Sequence, residues 1–501
     1  MFDLLLKNGL VLDGSGKEGY LADLAIQDGK IAAIGKDLGE AKEVLDVTGL
    51  VVSPGWIDSH SHSDNAFLTY PDMVEKVEQG ITMSISGQCG GSAAPKKELS
   101  TSELFTQLET LPQGSGAVML IGHNNLRNQV IGKENRDPSE EELERMKQLL
   151  SESMDAGAAG MSFGLYYVPG CYSKTPESVA LAKVVAEKGG YLAAHIRNEG
   201  DQLLESVDEY LEIIRESGCR AVFSHHKSAR QANWGKVRKS LQMIDEANAA
   251  GADVYLDVYP YIASHTSLSS FFIPSRFHPP GTKNVRDLLN DPKLCEAIKD
   301  DLRSLYGDDL SWILVTRCPK IRELEGMRVS QIAEYFGMED QYEAAHHVLR
   351  LTDCDMSGCY FSMCEEDLEY VIAHPRAMIC TDSTVARGAN KYHPRLRAAF
   401  PRAIGRYVRE KQVVSLPEMI RKMTSLPAHV YGLTHKGLLA EGYDADLCIF
   451  DPETIGETSD FVNCSLPNVG LTYVIINGKV VAKDGVYNGT RAAKVYKKWE
   501  V

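Results

Sequence analysis

Short apolar runs recur through the middle of the chain about every 30 residues, the length of one strand-and-helix unit. They are Val118-Met-Leu-Ile121, Gly160-Met-Ser-Phe163, Tyr191-Leu-Ala-Ala194, Ala221-Val-Phe-Ser224 and Asp253-Val-Tyr-Leu-Asp257. Between them lie stretches of helical periodicity, such as Leu203, Leu204, Val207, Leu211 and Ile214, then Val237, Leu241 and Ile244. Ser139-Glu-Glu-Glu142 reads as a capping box with acids in the first helical turn. The helix it opens puts Leu143, Met146, Leu150 and Met154 on one face, and Gly157 ends it. Strands that alternate with helices in this way argue for a parallel sheet, open or closed into a barrel.

The rhythm stops after Asp257, and the next convincing strand is Ala377-Met-Ile-Cys380. One strand-and-helix unit cannot fill that gap, so residues 262–350 are expected to form an insertion. Its start is aromatic and proline-bearing (Phe271, Phe272, Pro274, Phe277, Pro279, Pro280). An insertion at the C-terminal end of a sheet is placed to cover an active site. Both ends of the chain have a different texture. Leu4–Leu12, Leu21–Ile26 and Lys30–Gly35 read as strands, as do Ala445–Phe450 and Tyr473–Val481, with Asn477-Gly478 as a tight hairpin turn. The expected division is a small β-domain made of 1–53 plus 437–501, around a middle domain of 54–436. A chain of 501 residues exceeds one ordinary core and accommodates both.

Polar residues with metal-binding or catalytic chemistry sit just past these strands. His60 and His62 follow Gly49-Leu-Val-Val-Ser-Pro-Gly-Trp-Ile-Asp58. Two histidines two apart on an extended segment face the same side, which makes half of a metal site. Cys89 follows Thr82-Met-Ser-Ile-Ser86, between glycines that suggest a tight turn presenting it. His195, His225 and Asp382 each follow a strand in the same way. In a barrel of eight strands the C-terminal strand ends are where catalytic groups converge. Four histidines, a cysteine and an aspartate together are the ligand types zinc prefers. A lone histidine after a strand is ordinarily a hydrogen-bonded loop residue, and His123 is read that way.

A second group carries cationic or hydroxyl tips. Lys227 lies two beyond His225, Arg395 lies in the loop after Asp382, Tyr167 follows the fourth strand and Tyr259 the seventh. Each alone reads as a surface charge or a core aromatic. Together they suit a carboxylate, with Arg387 as the rival to Arg395.

Composition excludes other classes. A net charge of -16 argues against a nucleic-acid surface. Eleven scattered cysteines, an odd number, are no disulfide framework and fit a reducing cytoplasm. The opening Met1-Phe-Asp-Leu-Leu-Leu reads as a strand and not a signal peptide. No apolar run approaches the roughly 18 residues of a membrane helix. The expected setting is cytoplasmic, with a small-molecule substrate and no nucleic-acid or membrane partner.

At these residues the chain resembles the amidohydrolase superfamily and, within it, the N-acyl-D-amino-acid deacylase (D-aminoacylase) family. The motifs that carry the resemblance are Pro54-Gly-Trp-Ile-Asp-Ser-His-Ser-His62, Gly87-Gln-Cys-Gly90, Gly164-Leu-Tyr-Tyr-Val-Pro-Gly170, Ala194-His-Ile-Arg-Asn-Glu-Gly200, Ser224-His-His-Lys227 and Thr381-Asp382. Leu439-Ala-Glu-Gly-Tyr-Asp-Ala-Asp-Leu-Cys-Ile-Phe-Asp451 looks like the superfamily's return to its β-domain. The resemblance implies a (β/α)8 barrel of the TIM type, a small β-sandwich from both termini and an inserted lid. It also implies that Cys89, His195 and His225 hold a tighter zinc, with His60, His62 and Asp382 around a second, weaker position. Many superfamily relatives bridge two metals with a carboxylated lysine after the fourth strand. Here that strand ends Met161-Ser-Phe-Gly-Leu165, without one. Gln88 stands where the family usually has asparagine, and the segment after Asp382 departs from the family's loop.

The implied chemistry is metal-assisted hydrolysis of N-acyl-D-amino acids. Asp382 is the expected proton acceptor and donor, and Lys227, Tyr167, Tyr259 and Arg395 are the expected carboxylate holders. A cyclic-amide hydrolase of the dihydroorotase or hydantoinase kind is the enzymatic alternative. A catalytically inactive relative serving as a scaffold is the alternative of another class.

Overall fold

The computed structural model describes residues 1–386 and 391–500. Five strands open the chain: β1 (Phe2–Val11), β2 (Tyr20–Gln27), β3 (Lys30–Gly35), β4 (Ala41–Asp46) and β5 (Val51–Pro54). Then come β6 (Trp56–Ser61), β7 (Ile81–Ser86), β8 (Gly116–Gly122), β9 (Gly160–Gly164), β10 (Tyr191–His195), β11 (Arg220–Phe223) and β12 (Val254–Val258). Each pairs in parallel with the next, and helices make the crossovers. The expected capping box is present: Ser139 Oγ accepts from Glu142 N, and Ser139 N donates to Glu142 Oε2 at 2.7 Å. The helix it starts, Glu140–Asp155, buries Met146, Leu150 and Met154.

Three strands follow that do not join this sheet's neighbours in sequence. β13 (Ser264–Ser267), β14 (Ile313–Arg317) and β15 (Ser357–Tyr360) form a separate antiparallel sheet in the order β13-β15-β14. Its own apolar core includes Phe272, Ile298, Leu302, Ile313 and Tyr342. The inserted sheet therefore runs past residue 350, because its central strand is the last one in sequence. β16 (Ala377–Ile379) then pairs with β12, with Leu256 opposite Ala377.

Among the described residues the parallel sheet has eight strands, in the order β16-β12-β11-β10-β9-β8-β7-β6. Its two edges meet. Asp382 N donates to His60 O at 2.9 Å, and His62 N donates to Ser383 O at 3.0 Å. Neighbouring residues on these strands divide between two apolar clusters, as strand alternation requires. Ile57, Ile85, Leu120, Ala193, Val222 and Met378 belong to the interior, with Tyr431 at its floor. Trp56, Ile81, Ile121, Leu192, Phe223 and Ile379 pack outward with the helices.

The seam between β6 and β16 rests on a buried ion pair. Lys76 Nζ lies 2.7 Å from Asp58 Oδ2 and 2.9 Å from Thr381 Oγ1. Asp58 Oδ1 accepts from Thr381 N at 2.8 Å, and Asp58 Oδ2 accepts from Thr381 Oγ1 at 2.7 Å. Both charged residues are buried.

The chain ends on β17 (Leu447–Phe450), β18 (Leu471–Ile476), β19 (Lys479–Lys483) and β20 (Val486–Tyr487). These join the first five strands through β17 and β5, with Ile449 opposite Val52. Leu4, Leu24, Val52, Leu447 and Ile475 share one core, so both ends of the chain build one β-unit. The last stretch leaves it: Tyr496 N donates to Ala117 O at 2.7 Å, against the barrel. No helix among the described residues is long and apolar enough to cross a membrane.

Replacing Lys76 by methionine strands the Asp58 carboxylate in the interior, a loss of about 3–5 kcal/mol. The expected outcome is a lower midpoint in urea or heat. A Lys76→Met, Asp58→Asn double variant is expected to be more stable than the single one. A single variant as stable as the parent contradicts the role given to the pair.

Candidate metal centre

The six candidate ligands come together over the C-terminal end of the barrel. His60 and His62 sit at the end of β6, and their rings lie 5.2 Å apart. Cys89 follows β7, His195 closes β10, His225 lies two beyond β11 and Asp382 three beyond β16. Cys89 Sγ is 3.3 Å from His60 Nε2, 3.3 Å from His225 Nε2 and 3.7 Å from His195 Nδ1. His195 Nδ1 and His225 Nε2 are 2.8 Å apart. Asp382 Oδ1 is 3.1 Å from His62 Nε2 and 3.5 Å from His60 Nε2. Two ligand sets result, Cys89 with His195 and His225, and Cys89 with His60, His62 and Asp382; in each the atoms lie within 4.8 Å of one another.

Strand alternation alone does not produce this. Val222 faces the interior, so strict alternation turns His225 outward. A left-handed backbone at His225, φ 37°, redirects it. Cys89 (φ 51°) and Asp382 (φ 45°) share that conformation. At Cys89 the flanking glycines are required. A Cβ on Gly87 would lie 2.2 Å from Leu120 O, and one on Gly90 would lie 2.7 Å from Gly164 N.

The charges hold Cys89 and Asp382 in their ligating forms, whereas His60 and His62 carry protons that ligation must displace. Burial raises the Cys89 thiol, but the His60 and His225 imidazoles override it and hold the group well below its ordinary value. Burial lowers His62, yet its bond to Asp382 and the nearby Cys89 push it up to about 9. His60 is likewise raised by Cys89 and Asp257 against its burial. Burial raises Asp382, but Arg395 and His225 keep it ionised.

The partners behind the ligands also fit a metal. Glu199 Oε1 lies 2.9 Å from His225 Nδ1, which leaves Nε2 facing the centre. Asp257 Oδ1 accepts from His225 N at 2.6 Å and lies 3.4 Å from His60 Nδ1. A low-lying thiol and buried imidazole nitrogens that face one another suit a soft divalent cation such as zinc. His123 is not part of the set: its Nε2 lies 2.8 Å from Glu177 Oε1, in a buried group with Arg127. His226 bonds Ser240 Oγ at 2.8 Å, and burial brings it down to about 3.

Comparison with known proteins gives the family. A model described as "Amidohydrolase family" matches residues 43–290 and 381–482. The chain belongs to the amidohydrolase family. It is 35% identical to an N-acyl-D-glutamate deacylase of Alcaligenes xylosoxydans xylosoxydans, over 96% of this chain and 93% of that protein. It is 33% identical to a D-aminoacylase of the same organism, over 99% of this chain and 97% of that protein. Among solved structures, the N-acyl-D-glutamate deacylase of Bordetella bronchiseptica superposes with a TM-score of 0.85 at 32% identity, covering 99% of each chain. That structure is complexed with zinc and a phosphonate mimic of the tetrahedral intermediate.

In this amidohydrolase, Lys227, Tyr167, Tyr259 and Arg395 line the same cavity as the ligands, a space of about 440 Å³. Lys227 Nζ lies 2.5 Å from Glu199 Oε1. Arg395 NH1 lies 2.8 Å from Asp382 Oδ2, so it pairs with that carboxylate here. Tyr259 turns its hydroxyl to Met363 Sδ at 3.6 Å and its ring toward Lys227 and Arg395, 5.6 and 4.5 Å from the centroid. Tyr167 bonds Thr266 Oγ1 at 3.0 Å, with its ring 4.8 Å from that of His195. Arg387 lies outside the described residues. Gln88 is buried, and its Nε2 donates to Ser59 O at 3.3 Å.

Reasoning from sequence gave no role to Glu199, Asp257 or the Asp58–Lys76 pair. Asp257 left a readable trace, a carboxylate inside the apolar strand Val254–Val258. A charge there needs a partner.

Metal uptake is expected to release protons. At pH 8 in the metal-free protein His62 still holds its extra proton, since it titrates at about 9. Ligation must displace that proton, whereas Cys89 is already a thiolate. Affinity for a metal at the position that His62 lines therefore climbs with pH up to about 9. Calorimetric titration at pH 8 in two buffers of different ionisation heat is expected to show net proton release, and no release contradicts the assignment.

Proposed function

We propose that this chain is a zinc-dependent hydrolase that cleaves the amide bond of N-acyl-D-amino acids, giving a carboxylate and a free amino acid. One observation carries the reading. A carboxylate, Asp382, stands against a cysteine-and-histidine cluster in a chain 32% identical, end to end, to a deacylase solved with zinc and an intermediate mimic. The strand that ends at Gly164 is followed by Leu165 and carries no lysine, which favours the linear-amide reading over the cyclic-amide one. All six ligand candidates are present and convergent, which argues against an inactive scaffold.

On this reading Cys89, His195 and His225 hold one zinc tightly, and His60, His62 and Asp382 surround a second, weaker position. Zinc bound there supplies Lewis acidity, polarising the scissile carbonyl and bringing the pKa of water toward ~7. Asp382, ionised by its neighbours, accepts the attacking water's proton on a carboxylate oxygen and passes it to the leaving amine nitrogen. Glu199 and Asp257 orient His225 throughout. Lys227 and Arg395 hold the substrate carboxylate, with Tyr167 and Tyr259 beside them. Arg395 has the means to do so, because its buried Nε has no hydrogen-bond partner and is free to donate.

Asp382→Asn is expected to keep the Cys89-side zinc, measured by atomic absorption. Its kcat on the best N-acyl-D-amino acid is expected to fall about 10²–10⁴-fold. A near-parental kcat contradicts the proton role. Assay beside L-enantiomers and cyclic ureides tests the substrate class, and faster turnover of a ureide favours the cyclic-amide reading.

A further inference from the structure

One wall of the cavity is lined by aromatic rings, and we infer that it receives an aromatic or large apolar group carried by the substrate, in preference to a second carboxylate. This rests on the deacylase reading and names its substrate class. The identities to the D-glutamate deacylase and the D-aminoacylase differ too little, 35% against 33%, to choose a side chain. The cavity makes the choice.

The wall starts at the metal centre. Tyr166 stacks on the His195 ring, with centroids 5.5 Å apart and planes at 29°. It continues into the inserted sheet through Phe271, Tyr306, Trp312 and Tyr360, which line the same cavity. Phe271 packs at 4.8 Å from Tyr306 and 5.5 Å from Trp312, and Tyr306 and Trp312 stack at 5.6 Å. These rings are more than the insert's core. Phe271 and Tyr360 also belong to that core, beside Phe272, Ile298 and Leu302, whereas Tyr306 and Trp312 remain half-buried and open to the cavity. The wall presents hydrocarbon: the hydroxyls of Tyr166 and Tyr360 donate to the carbonyls of Ser270 and Ser267, at 3.1 and 3.3 Å.

The cations are already matched. Among the described residues, Lys227, Arg230, Arg276 and Arg395 line the cavity. Lys227 pairs with Glu199, Arg230 with Asp201, Arg276 with Asp301 and Arg395 with Asp382. Arg230 also lies over the Tyr306 ring, 4.9 Å from its centroid, and so belongs to the wall. If Lys227 and Arg395 take the α-carboxylate, the two cations left for an acidic side chain are Arg230, which covers the Tyr306 ring, and Arg276, which is half-exposed and paired with Asp301. A buried second carboxylate without a partner is costly, whereas an aromatic ring on this wall gains by burial and stacking.

The test compares kcat/KM of the zinc-loaded enzyme on N-acetyl-D-phenylalanine, N-phenylacetyl-D-alanine, N-acetyl-D-alanine and N-acetyl-D-glutamate. One of the two aromatic compounds is expected to exceed N-acetyl-D-alanine on the order of 30-fold, and which one tells whether the side chain or the acyl group meets the wall. N-acetyl-D-glutamate is expected at or below N-acetyl-D-alanine. Trp312→Ala and Tyr306→Ala are each expected to shrink the aromatic-to-alanine ratio about tenfold. Calorimetry on Asp382→Asn protein reads binding without turnover, with a negative heat-capacity change for the aromatic compounds. Preference for the glutamate compound, or no aromatic preference in either rates or binding, overturns the inference. Aromatic-selective binding with no hydrolysis of any compound keeps the wall and overturns the deacylase reading.

Discussion

Lys76 and Asp58 form the interaction on which the reactive end depends. A lysine and an aspartate taken out of water need every proton and lone pair matched, or the pair costs more than it returns. Here Asp58 accepts from Lys76, from the Thr381 backbone and from the Thr381 hydroxyl. Lys76 also donates to Ser383 O at 3.3 Å. The pair thus ties the strand bearing His60 and His62 to the backbone on both sides of Asp382. The barrel closes at that same place, through only two backbone bonds among the described residues. Beside the pair, Ser59 Oγ donates to Ile379 O at 3.1 Å across the same seam.

The cost of the site is paid mainly in backbone conformation. Cys89, His225 and Asp382 are non-glycine residues in the left-handed region, worth of order 1–3 kcal/mol each. Each is held by a residue on another strand. Ser162 Oγ accepts from Gly90 N at 3.0 Å and donates to Gly87 O at 2.6 Å, clamping the Cys89 turn from both sides. Asp257 takes the His225 amide, and His60 O takes the Asp382 amide. At His225 this conformation turns toward the centre a side chain that the pleat by itself would turn away.

What could be read from sequence was what local chemistry sets. The strand rhythm, the Ser139 capping box and the residue types just past each strand are short-range signals that point to a parallel sheet with candidate ligands at its strand ends, while the closed barrel was implied by the family resemblance. The groups behind the ligands were not legible for the opposite reason. Lys76 lies 18 residues from Asp58 and 305 from Thr381, and only barrel closure brings them together. Glu199 sat inside a quoted motif, but its reach to His225 crosses from one strand end to the next. The pairing of Arg395 with Asp382 is likewise set by the path of the loop between them, part of which lies outside the described residues. The end of the insertion was misplaced because the sheet's central strand, β15, is contributed last.

The two ends of the cavity are built under different constraints. The ligands stand on barrel strands whose side chains interlock across the whole interior, so moving one ligand disturbs its neighbours. The aromatic wall stands mostly on an insert with a separate core, in which Phe272, Ile298 and Ile313 pack independently of the barrel's clusters. Substitutions at Tyr306 or Trp312 change the cavity lining without reaching the strand register that places Cys89, His195 and His225. Chemistry and selectivity are thereby separable in this fold. The candidate ligands are set by the barrel, and the wall inferred to meet the substrate's apolar group stands mostly on a separately cored insert.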